Sequence, residues 1–145
     1  MPHWVDDGFA QYAGRMPRTA RLSLVEIKPE PRSSGKTAAQ MMAAEAQRIL
    51  AALPPDCERI VLDEHGREFV STDFAAWLDA RMGGGRDLAF IIGGPDGLDD
   101  SLKSATALKM RLSSFTLPHG LARVMLAEQL YRATTILQNH PYHRE

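Results

Sequence analysis

Cysteine is nearly absent: Cys57 is the single one in 145 residues. An internal disulfide framework is therefore excluded, and the chain suits a reducing cytosol. Cys57 lies in "LPPDCERI", with neither a glycine turn nor a histidine beside it, which argues against a nucleophile. Long apolar runs are also missing, and none approaches the ~20 residues that span a bilayer. The opening "MPHWVDDGFA" has neither a basic region nor an apolar stretch, so no secretory leader is expected there. Hydrolase motifs are absent too. There is no Gly-x-Ser-x-Gly elbow, no His-Glu-x-x-His and no clear Ser/His/Asp constellation. "HPYH" lacks the spacing and further ligands of a zinc site, so no metal is expected.

What is present is ordinary globular material, 44% apolar and 24% charged, enough for one domain with its own core. The formal net charge is −1, which argues against wholesale nonspecific binding to nucleic acid. The charge is unevenly spread, however. Residues 1–100 carry −5 and residues 101–145 carry +4, with three of the five histidines in the basic part. A basic C-terminal third on an acidic body is compatible with an anionic partner met at one surface.

Residues 2–15 read as a helix with Trp4, Val5, Phe9 and Tyr12 as its apolar positions. "RLSLVEI" (21–27) alternates like a half-buried strand, and "KPEPRSSGK" (28–36) reads as a mobile loop. Residues 37–53 form an Ala/Met/Leu-rich helix, capped by Thr37 and stopped by Pro54-Pro55. "RIVLD" (59–63) is a short buried strand, and Ser71 or Thr72 caps a helix that ends at Gly83-Gly84-Gly85. "DLAFII" (87–92), apolar throughout, is expected to be central in a parallel sheet. A short helix at about 99–106 precedes a strand carrying Leu108, Met110 and Leu112. Residues 120–138 form a long helix whose one polar stripe is Glu128, Arg132, Thr135 and Asn139. A helix so apolar is buried on more than one side, which predicts a partner subunit. Alternating strands and helices give an α/β fold with a mainly parallel sheet flanked by helices.

In such sheets ligands bind beyond the carboxyl ends of the strands. The places to look are "LDEHG", "IIGGPDGL" and "LSSFTLPHG". The turn Gly93-Gly94-Pro95-Asp96-Gly97 matches neither phosphate-loop pattern, and its acids, with Asp99-Asp100, repel phosphate while tolerating a cationic ligand. It could equally be a tight turn before the next helix. "LSSFTLPHG" offers backbone groups to a flat heterocycle, while His119 alone reads as a helix-start residue. The tail "NHPYHRE" packs Asn, two His, Tyr and Arg together, a mixture suited to stacking RNA bases and holding phosphate.

Taken together, "IIGGPDGL", "TLPHGLARVMLAEQLYRA" and "NHPYHRE", with weaker agreement at "MPHWVDDGFAQY" and "VEIKP", resemble the ribosomal RNA large subunit methyltransferase H family of the SPOUT superfamily. The resemblance covers residues 1–145 as a single domain and implies a trefoil-knotted α/β fold and a homodimer. It implies S-adenosyl-L-methionine as cofactor, held by Leu62, Gly93 and the segment Leu112, Ser113, Ser114, Phe115, Thr116 and Leu117. It further implies methylation of N3 of pseudouridine 1915 in a stem-loop of the 23S ribosomal RNA, at the subunit interface of the ribosome. Arg132, Tyr142, His143 and Arg144 are the candidates for holding the base and favouring its anion, with His143 able to accept the N3 proton. Relatives begin with a strand about ten residues upstream of "MPHWV", which this sequence does not contain, so either the start lies upstream or the sheet is expected to be one strand short. Two rival readings differ in class. A catalytically inactive RNA-binding factor on the same fold would bind no cofactor, and a doubly wound nucleotide-binding enzyme would bind ATP.

Overall fold

β1 (Glu58–Glu68) lies between two parallel neighbours, β2 (Leu88–Ile91) and β3 (Leu108–Arg111). The computed structural model describes residues 1–31, 35–94, 97–104 and 106–144. Around the sheet run the helices α1 (His3–Ala13), α2 (Ala38–Ala52), α3 (Ser71–Met82), α4 (Asp100–Lys103) and α5 (His119–Leu137). Each strand end therefore points the same way, as the alternating pattern requires.

The core has two parts, one on each face of the sheet. Ile60 packs with Phe74, Ala75, Leu78, Met110, Leu126, Leu130 and Ala133, under α3 and α5. Val61, the next residue, packs with Ala46, Ile91, Leu98 and Leu102, under α2 and α4. Phe74 stacks on Trp77 and meets Phe69 edge-on, with ring centroids 6.0 and 5.7 Å apart. α5 also packs against α1, and closely. A Cβ on Gly120 would come within 2.8 Å of Val5 Cγ2, so this crossing requires a glycine.

Local chemistry explains the boundaries. Thr37 Oγ1 accepts from the Gln40 amide (3.1 Å) and Gln40 Oε1 accepts from the Thr37 amide (2.9 Å), a reciprocal cap worth about 1 kcal/mol. α3 differs from expectation. Val70 holds the N-cap position, and Ser71 is the first helical residue, its hydroxyl donating to Gln129 Oε1 (2.7 Å) instead of capping. β1 also runs past Asp63, because the pairing with β3 shifts register between Leu62 and Arg67. Gly66 permits this: a Cβ there would lie 2.6 Å from the backbone of Lys109 and Met110.

Four further expectations are corrected. Residues 21–27 form no strand, since the segment has no ladder partner among the described residues and turns Leu24 and Val25 outward. β2 is an edge of the described sheet and not its centre, because apolarity along a strand reports cover on its faces and not its place in the order. The 28–36 loop is tethered where it is described, for Glu30 is buried and pairs with Lys36 and Arg48. Trp4 is exposed, leaving Val5 to anchor α1. Pro95, Asp96 and residues 32–34 lie outside the described residues.

Phe74→Ala should cost about 3–5 kcal/mol in denaturant unfolding, as expected for a large ring removed from a filled core. Val25→Ala, at a side chain 63% exposed, should stay within about 0.5 kcal/mol.

Candidate functional site at the strand ends and tail

Three parallel strands bring Leu62, Gly93 and Leu112 to one edge of the sheet. Leu62 pairs with Met110 and, like Leu112, packs on the Phe74 cluster. Beyond β2 the chain folds back on itself. Gly97 donates to the Gly94 carbonyl (3.0 Å), and Gly97 takes a φ of +85°, which favours glycine. A Cβ on Gly93 would sit 2.8 Å from Leu98 Cγ. The bare α-carbon of Gly93 is thus filled by the turn's own leucine, which is a packing role that the sequence did not distinguish from ligand approach.

The same turn is tied to α5. His119 Nδ1 donates to the Gly93 carbonyl (3.0 Å), and Arg123 Nη2 donates to His119 Nε2 (3.4 Å). A carbonyl can only accept and a guanidinium can only donate, so both contacts demand the same neutral tautomer, protonated at Nδ1. Arg123 is buried and also donates to Glu26 Oε1 (2.9 Å). Residues 21–27, though not a strand, deliver this carboxylate.

Leu112–Leu117 leaves β3 as an irregular segment, held at two points. Ser113 Oγ accepts from the Phe115 amide (2.9 Å), and Ser114 Oγ donates to Glu68 Oε2 (3.2 Å), the carboxylate that also pairs with Arg111. Thr116 and Phe115 are exposed. On the other side of Leu112 opens a cleft of about 390 Å³, lined by Phe69, Ser71, Arg111, Met125 and Gln129 among others. It contains neither Leu62 nor Gly93, so cleft and strand edge are separate places meeting at Leu112.

The tail forms a second centre. Arg132 donates to Glu128 Oε2 through Nη2 (2.8 Å) and Nε (3.1 Å), and the Tyr142 hydroxyl donates to the same oxygen (2.7 Å). Arg132 lies 4.8 Å from the Tyr142 ring centroid, and Tyr131 meets that ring edge-on at 4.8 Å. Arg132 Nη1 donates to His143 Nδ1 (3.0 Å). Burial, reinforced by the Glu128 carboxylate, pushes the Tyr142 hydroxyl well above the ordinary phenol range, so it stays a donor. The hydrogen bond to Glu128 holds the Arg132 guanidinium firmly charged. Arg144 is exposed. Three of the four tail candidates therefore converge, but on α5 and not on the strand edge. Tyr142 folds back only to the level of Glu128, about 14 Å along the helix from His119 at 1.5 Å per residue.

Glu128 stands at the centre of these contacts, and sequence reasoning left it as part of a polar stripe. Its i,i+4 relation to Arg132 was the available signal. Among the described residues no three His, Cys, Asp or Glu side chains gather as metal ligands, and no helix is long and apolar enough to cross a membrane.

A parallel α/β sheet whose strands run out into irregular, backbone-rich segments belongs to the class in which ligands bind beyond the strand ends, and here the cationic, aromatic tail gathers apart from them on α5. The family model described as "Predicted SPOUT methyltransferase" matches residues 1–143, and the chain belongs to that family. It is 58% identical to the "Ribosomal RNA large subunit methyltransferase H" of Bordetella pertussis, over 99% of this chain and 92% of the relative. Proteins of the same name from Ralstonia nicotianae and Burkholderia thailandensis are each 56% identical over the same shares.

Arg123→Ala should cost about 1–3 kcal/mol in unfolding, because it removes a buried donor from both His119 and Glu26. Glu26→Gln should cost under about 1 kcal/mol, since that carboxylate is more than half exposed. Equal losses would mean that the ion pair, and not the helix-to-turn clasp, is what matters.

Proposed function

We propose that this chain is an S-adenosyl-L-methionine-dependent methyltransferase acting on N3 of pseudouridine 1915 in the 23S ribosomal RNA, on assembled ribosomes in the cytoplasm. The observation that carries the reading is identity of 58% across 99% of the chain to relatives named for large-subunit ribosomal RNA methylation.

The strand edge suits the cofactor by the chemistry it offers. Leu62, Leu112 and Leu117 supply apolar surface, while the hydroxyls of Ser113 and Ser114 are engaged inside the chain. That leaves backbone groups of Gly93 and residues 112–117 to hydrogen-bond a flat adenine. When bound, the cofactor supplies an electrophilic methyl on a sulfonium, whose positive charge is lost on transfer and which an apolar surround therefore favours. The chain's own work is to orient the base and stabilise its anion. Arg132 and Arg144 bring positive charge to the imide and to neighbouring phosphate.

The active form in this reading is a homodimer, with the trefoil knot of the family. In this reading a second copy brings its tail to the strand edge; within one chain the tail gathers at Glu128, about 14 Å along α5 from the His119 clasp. Exposed Val70, Phe115, Leu121 and Leu137 support burial against another chain.

Deleting residues 142–145 should abolish methyl transfer to ribosomes while cofactor affinity, measured by calorimetry, stays within a few-fold. Mixing that deletion with a chain altered in the 112–117 segment should restore part of the activity if the site is shared between copies. Ribosome binding by the intact protein without methyl transfer would favour the inactive factor instead.

A further inference from the structure

One carboxylate holds the whole tail. Glu128 Oε2 takes the donors of Arg132 and Tyr142, and Glu128 Oε1 accepts from Gln129 Nε2 (2.8 Å). Gln129 Oε1 in turn accepts from Ser71 Oγ (2.7 Å), anchoring the carboxylate to the start of α3. The last link is Arg132 Nη1 to His143 Nδ1 (3.0 Å). Directions along this chain are forced. A guanidinium has no lone pair to offer, so His143 Nδ1 must accept, and the ring proton of the neutral imidazole resides on Nε2. His143 Nε2 is buried and has no hydrogen-bond partner among the described residues. A buried N–H without an acceptor is rare in folded proteins and points to a group that arrives later.

We propose that Glu128 is the positioning residue of the tail and that His143 acts as a hydrogen-bond donor, its Nε2–H meeting a carbonyl oxygen of the substrate base. This rests on the methyltransferase reading above for the identity of that base. The nitrogen to be methylated stands between two carbonyls, and loss of its proton spreads negative charge onto both oxygens. An N–H aimed at one of them stabilises that anion, as a donor prearranged for developing charge does. His143 does not take the proton, because its one lone pair is committed to Arg132. The N3 proton passes to solvent water, and the anion then forms the N–CH3 bond as the carbon–sulfur bond breaks.

Two measurements on the full-length protein decide the matter. Long-range proton–nitrogen correlation spectra of histidine-labelled protein at neutral pH, without substrate, should show His143 protonated at Nε2 and accepting at Nδ1. Glu128→Gln should scramble those signals and lower kcat with cofactor affinity unchanged. In methyl transfer to ribosomes, His143→Ala should lose about a hundredfold or more. His143→Gln, whose amide places an N–H near the Nε2 position but is no base, should stay within about tenfold of the wild type. A ring protonated at Nδ1, a His143→Gln loss as deep as that of His143→Ala, or unchanged ring signals in Glu128→Gln would each overturn the proposal. Absence of methyl transfer by the wild type, with the expected ring signals intact, would instead overturn the substrate reading.

Discussion

Ile60 and Val61 are neighbours on β1 that point to opposite faces, and both are fully buried. This double burial forces helices onto each side of the sheet, α3 and α5 below Ile60 and α2 and α4 below Val61. Covering both faces in turn requires each strand to be followed by a helical return, which makes the strands parallel and gathers their ends at one edge. The candidate cofactor edge is therefore a consequence of how the core is filled. Apolar pressure decides where the site lies, and the polar contacts decide what shape it takes there.

In those polar contacts an arginine links two stretches of the chain that lie apart in sequence or in secondary structure. Arg123 joins the 21–27 segment to His119 and so to the end of β2. Arg111 joins β3 to Glu68 and so to Ser114. Arg132 joins α5 to the tail. Arg123 and Arg132 each meet two partners at once, a geometry that a lysine ammonium cannot reproduce with the same rigidity. The basic excess of residues 101–145 is thereby partly spent inside the chain: of its six cations, Arg111, Arg123 and Arg132 hold structure, and Lys103 pairs with Asp63. Lys109 and Arg144 remain exposed to meet an anionic partner.

How much was legible in the sequence depended on the range of the interaction. Thr37 and Gln40 cap α2 across three residues, and the apolar content of α5 is visible along its own length, so both were readable. The alternation in 21–27 was equally visible but misleading, since a strand exists by its neighbour and no pattern within seven residues states that a neighbour is present. Gly66 passed without remark inside "LDEHG", whereas its role is to let β3 pass within 2.6 Å of where a Cβ would stand. Gly93 stood out through its glycine-rich turn, but nothing local showed that Leu98 stands where its Cβ would be. Of the tail, Arg132, Tyr142 and His143 were legible as chemistry. Their acceptor, Glu128, was not, because a carboxylate in a polar stripe carries no mark of the donors that fold back onto it.

The length of α5 imposes the final constraint. At 1.5 Å per residue its 19 residues span about 28 Å. His119 clasps the β2 turn at one end, while Glu128 and Arg132 gather the tail from the middle onward. A rigid helix cannot shorten, and its close seating on α1 at Gly120 and on α3 fixes it against sliding. One helix therefore organises both the turn after β2 and the tail, each at its own level along the axis. Leu121 and Leu137 stay exposed near its two ends, apolar surface that the described chain leaves uncovered.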